Sequence, residues 1–110
     1  AVASVDLYNP TGIDIEKVTP RIRKVATKLL TPAEKELVAP DDDLSLTVYW
    51  CAKEALYKLY GRKLLHFNQE IHVERQQNPR IFRGAIRKEG FYCEVELLEV
   101  HFGEYVIVGC

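Results

Sequence analysis

The chain has 110 residues, enough for one compact domain and too few for two ordinary ones. With 47% hydrophobic and 28% charged residues it reads as a soluble globular unit, and its composition excludes wholesale disorder. The formal net charge of -1 gives no sign of a nucleic-acid binder, and no apolar run approaches the ~20 residues a membrane span needs. The cysteines at 51, 93 and 110 are too scattered for a disulfide framework, which makes a reduced, cytoplasmic setting the expectation.

Residues 2–8 alternate apolar and polar, with Val5 and Leu7 set against Ser4 and Asp6, and predict a short strand. Asn9-Pro10-Thr11-Gly12 reads as a turn. Residues 12–16 predict a second strand with Ile13 and Ile15 on one face. Asp14 and Glu16, two apart, then project together from the other. The plain reading of that pair is a solvated strand face, and the functional one is a metal-binding face.

Thr19-Pro20 opens a predicted helix over 21–30, with Ile22, Val25, Ala26 and Leu29 at helical spacing and Arg21, Arg23, Lys24 and Lys28 facing outward. Thr31-Pro32-Ala33-Glu34 has capping-box spacing and restarts the helix. The aspartates at 41–43 suit the start of a third and longest helix, over 44–60, which Gly61 stops. Val48, Cys51, Ala52, Ala55, Leu56 and Leu59 form its packing face, and Trp50, Glu54, Tyr57 and Lys58 another, with Lys53 beside them. Strands follow over 70–75, 81–87 and 91–100, and a final apolar strand over 105–108 should lie inside the sheet. Strands, then helices, then a β-meander make an α+β domain.

Asp14, Glu16 and Glu54 would together offer three carboxylates, a donor set that suits Mg²⁺ with positions left for water and phosphate. Lys58, one turn from Glu54, would then sit on a phosphate. The plainer alternative is a surface Glu54–Lys58 ion pair in the favourable i, i+4 order, contributing about 0.3–0.5 kcal/mol. The histidines at 66, 72 and 101 fall in different segments and read as surface or core-edge residues. Cys51 reads as packed rather than nucleophilic.

The first motif, Gly12-Ile13-Asp14-Ile15-Glu16, is followed by Trp50-x-x-Lys53-Glu54-Ala55-x-x-Lys58, which places Glu54 forty positions after Asp14. This pair resembles the signature of the 4′-phosphopantetheinyl transferases, and Arg21-Ile22 and Leu30-Thr31-x-x-Glu34 are similar to the segment between. The likeness is close over 11–60 and looser over the meander. Asp14-x-Glu16 and Trp50 resemble the larger branch, which activates peptide and polyketide synthases or lysine-biosynthesis reductases. The short holo-acyl-carrier-protein synthases usually carry Phe at the tryptophan position.

The resemblance implies Mg²⁺-dependent transfer of phosphopantetheine from coenzyme A to a serine of an acyl or peptidyl carrier protein. It implies Asp14, Glu16 and Glu54 as metal ligands, Glu54 and Lys58 as catalytic, and Lys58, Lys53 and Trp50 as cofactor-binding. It further implies that residues 1–110 form a single domain equivalent to the second half of a two-half enzyme. A missing first half, carrying the Ser-His element that helps hold coenzyme A, or a second copy of the chain would then complete the site. The alternatives are a catalytically incomplete half-domain that binds a partner or metal, and a structural domain whose acids all lie at the surface.

Overall fold

The computed structural model describes residues 12–61 and 65–110. The strand expected over 2–8 and the turn residues 9–11 lie outside them. Chain order is β1 (Ile13–Lys17), a 3₁₀ turn (Pro20–Lys24), α1 (Ala26–Leu29), α2 (Pro32–Leu37), α3 (Asp43–Tyr60), β2 (Ile71–Arg75), β3 (Ile81–Lys88), β4 (Phe91–Phe102) and β5 (Tyr105–Gly109). The strands form one antiparallel sheet in the order β1-β5-β4-β3-β2. The fold is α+β with a C-terminal meander, and the apolar β5 is an inner strand between β1 and β4, as its composition predicts.

One face of the sheet carries α3. Phe82 and Ile86 of β3, Leu97 of β4, and Val106 and Val108 of β5 are buried there with Leu46, Val48, Cys51, Ala52, Ala55 and Leu56 of the helix. α3 owes its length to its ends. Asp42 Oδ1 accepts from the Ser45 N–H at 3.1 Å, and Gly61 closes the helix at φ 69°, a left-handed conformation that other residues adopt only with strain. Thr31 and Glu34 form a complete capping box at α2.

The single helix expected over 21–30 is instead a 3₁₀ turn followed by one turn of α-helix. Thr19 makes no side-chain cap, and Arg23 reaches away to Asp43, with nitrogen–oxygen distances of 2.6 and 3.1 Å. Leu30 and Thr31 are extended before Pro32, whose ring disfavours helical geometry in its predecessor. A segment this short, crowded with cations and clipped at its end, has too few internal hydrogen bonds to propagate. Its apolar residues still serve the core, since Ile22, Leu29 and Leu30 are buried. Among the described residues, no helix is long and apolar enough to cross a membrane.

Candidate active site

β1 is the edge strand on which the site begins. Gly12 lets it come close, because a Cβ there would stand 1.9 Å from the Ala55 carbonyl oxygen of α3. Only glycine permits that approach, and it sets Asp14 beside the helix turn that carries Glu54. Asp14 and Glu16 lie opposite Val108 and Val106 of β5, so they share a face as their two-residue spacing predicts, and that face turns inward rather than to solvent. Cys51 supports them from below: its buried thiol donates to the Asp14 carbonyl at 3.1 Å, and burial pushes its pKa up, keeping it protonated. It is packed, not nucleophilic.

Asp14 is 6% exposed. Its Oδ1 accepts from Lys58 Nζ at 2.7 Å, and Lys58 also donates to the Ile13 carbonyl at 3.3 Å. The lysine therefore reaches across to β1, and its ion pair is with Asp14 rather than the Glu54 partner expected from helical spacing. Asp14 Oδ2 is buried with no hydrogen-bond partner. A buried carboxylate oxygen left in that state is costly unless something positive arrives to meet it.

Glu16 and Glu54 share the same field. Burial and the neighbouring carboxyls of Asp14 and Glu54 push the Glu16 carboxyl up to about 7, opposed by the adjacent Trp50. Burial and the Asp14 charge likewise raise Glu54, while Lys58 opposes the shift. The hydrogen bond to Asp14 holds the Lys58 ammonium above its ordinary value. Three carboxyl groups thus press on one another with the Lys58 ammonium among them. Asp14, Glu16 and Glu54 are brought together, and the reading that leaves all three at the surface is corrected by the burial of Asp14.

Among the described residues, no three acidic, histidine or cysteine side chains already stand in metal-holding array. The donor chemistry nevertheless fits a hard divalent cation: all-oxygen ligands, an orphaned buried carboxylate oxygen, and two further carboxyls raised by burial and mutual repulsion. Trp50 walls this region. Its ring stands 5.7 Å from that of Phe67, and with Glu16, Lys17 and Arg21 it lines a cleft of about 220 Å³. A larger depression, about 740 Å³, surrounds His72, Arg83 and Arg87 and contains none of the cluster. The site is identified by its chemistry rather than by the size of its opening.

Lys53 is placed elsewhere. Its side chain is fully buried, ion-paired with Glu34 at 2.6 Å and donating to three backbone carbonyls. The expectation of a cofactor-binding lysine at 53 meets a side chain with no surface to offer. Glu34 is the residue that sequence reasoning missed. Its capping role was legible in Thr31-x-x-Glu34, but that role uses one oxygen, and the other accepts from the Val73 N–H at 2.8 Å. His101 meets Glu99, which Arg75 also holds at 3.1 Å. This pairing lies outside the cluster.

Residues 10–110 match the family described as the 4′-phosphopantetheinyl transferase superfamily. The match spans nearly the whole chain, and the protein belongs to that superfamily. No curated protein matches the chain.

Proposed function

We propose that this member of the superfamily transfers 4′-phosphopantetheine from coenzyme A to a serine hydroxyl of an acyl or peptidyl carrier protein, in a Mg²⁺-dependent reaction. The observation that carries the proposal is the buried Asp14 carboxylate, with Lys58 on one oxygen and nothing on the other, among two carboxyls raised by their neighbours. Asp14, Glu16 and Glu54 would hold the cation. When bound, it would offset negative charge on the pyrophosphate and on the leaving phosphate.

In the reaction the serine oxygen forms a bond to the phosphorus that bears the pantetheine. The bond to the other pyrophosphate unit breaks, and adenosine 3′,5′-bisphosphate departs. The serine proton needs an acceptor within one water of it. Glu54, whose burial raises its proton affinity, takes that role. Lys58 has a half-exposed stem, so its ammonium can leave Asp14 for the pyrophosphate and balance charge on the leaving group. Trp50 bounds the site, lining the same cleft as Glu16.

Incubating the chain with coenzyme A, Mg²⁺ and an apo carrier protein should add the mass of phosphopantetheine to the carrier. Asp14→Ala and Glu54→Gln should each lower the rate by about 10²-fold or more, the scale on which general-base and electrostatic contributions act. No mass gain, with an established transferase active in parallel, would sink catalysis by this chain alone.

A second reading is a catalytically incomplete half-domain. It is favoured by the outer face of the sheet, where Leu98, Val100, Phe102 and Tyr105 are exposed side by side on β4 and β5. Such a face suits a partner unit, whether a first half or a second copy. Calorimetric titration separates the readings: Mg²⁺ binding without coenzyme A binding supports the half-domain.

A further inference from the structure

Lys53 stands between Trp50 and Glu54 in the sequence and touches neither ligand-facing surface. Its ammonium has four oxygen neighbours: Glu34 Oε1 at 2.6 Å and the carbonyls of Leu29, Phe67 and Ile71, each at 2.8 Å. Three N–H donors are shared among them, and none is spare. Glu34 is equally engaged, accepting from the Thr31 and Val73 N–H groups at 2.9 and 2.8 Å. The pair therefore ties together the last residue of α1, the start of α2, the middle of α3, Phe67 and β2.

On β2 the arrangement imitates a missing strand. Among the described residues β2 is a sheet edge, and its residues 71 and 73 turn their polar backbone atoms away from β3. Lys53 takes the Ile71 carbonyl and Glu34 the Val73 N–H, as a neighbouring strand would. Replacing a buried ion pair by apolar side chains is often neutral or stabilising, so stability alone is a weak reason for this one.

The pair has leverage on the site. Consecutive helix residues point about 100° apart, so a helix whose Lys53 is fastened toward β2 turns Glu54 toward β1 at the other edge of the sheet. Phe67, whose carbonyl Lys53 binds, has its ring 5.7 Å from Trp50 and 5.5 Å from Tyr57. We propose that the Lys53–Glu34 ion pair is a positioning device that fixes the rotation of α3 and the seat of the Trp50 ring, so that Glu54 and Trp50 face Asp14 and Glu16. Lys53 acts through its neighbours and never on the co-substrate. The link to metal binding rests on the function proposed above, whereas the link to Trp50 does not.

The test uses the full chain with Lys53→Met and with Lys53→Met/Glu34→Gln. The double variant is the one that keeps the fold, because Glu34→Gln leaves no buried unpaired charge and its amide oxygen can still accept from the Val73 N–H. Two quantities are read: the Trp50 indole N–H signal by NMR, a single peak in a chain with one tryptophan, and Mg²⁺ affinity without coenzyme A. In the folded double variant the indole signal should move away from its wild-type position as the ring leaves its seat beside Phe67, and metal affinity should fall at least about tenfold, the usual loss when an orienting partner is removed. An unmoved indole signal overturns the proposal, whatever the metal does. So does wild-type metal affinity in the double variant. If the wild type binds no Mg²⁺ while the indole signal still moves, the positioning role stands and the metal-dependent function falls.

Discussion

Asp14 and Gly12 show how much of the site depends on single atoms. The missing Cβ of Gly12 allows β1 to lie against Ala55, and Gly12→Ala forces the strand and α3 apart at the point where Asp14 and Glu54 approach. Overpacking of this kind typically costs about 1–3 kcal/mol, and we expect that loss in urea denaturation together with weaker Mg²⁺ binding. A variant with unchanged metal affinity would show that the close approach serves packing alone. Asp14→Asn tests the carboxylate itself. It keeps the volume but removes the charge that Lys58 answers and that raises Glu16 and Glu54. The Glu16 carboxyl should then titrate below about 7 while burial still holds it above its ordinary range, in carboxyl-detected NMR. A Glu16 titration that stays where it was would mean that the Asp14 charge adds nothing to the effect of burial.

At the level of elements, α3 organises everything else, and its stability lies in both its ends and its middle. Lys53→Met alone leaves Glu34 as a buried, unpaired carboxylate, and breaking a buried pair in this way costs about 3–5 kcal/mol. A loss below about 1 kcal/mol in thermal or urea unfolding would show that water or a neighbour compensates Glu34. The helix itself was legible in the sequence, because apolar spacing, the preceding aspartates and Gly61 all agreed. The shared face of Asp14 and Glu16 was legible too, from strand period, whereas Glu54 was joined to it only by the resemblance of the two motifs. The 21–30 helix was misread because periodicity says nothing of the Arg23–Asp43 pair or of Pro32 acting on its predecessors. Lys53 was misread for a related reason. Helical spacing put it beside the ligand-facing side chains, whereas its destination depends on Glu34, Phe67 and Ile71, which are 14 to 19 positions away in sequence. No local pattern encodes such a contact.

For the whole molecule, the crowded cluster couples folding to pH. Glu16 has its carboxyl raised from 4.5 to about 7, so the folded state holds that proton more tightly than the unfolded chain does. The contribution is fully present below about pH 4.5 and is lost as pH rises through about 7. Glu54 is shifted in the same direction and adds to the decline. Metal-free protein should therefore lose stability between about pH 5 and pH 8, and Glu16→Gln, which cannot ionise, should flatten that slope. Added Mg²⁺ should act oppositely, since a cation that binds only the folded state stabilises it by about 2.7 kcal/mol at a hundred times its dissociation constant. Binding draws on ionised carboxylates, so its apparent affinity should rise about tenfold from pH 6 to pH 8 while Glu16 gives up its proton. Urea titrations in chelator and in Mg²⁺ across that pH range measure both effects. A wild type whose metal-free stability tracks that of Glu16→Gln across the range would show that Glu16 ionises freely, and the cluster would lose the mutual repulsion that marks it as a cation site.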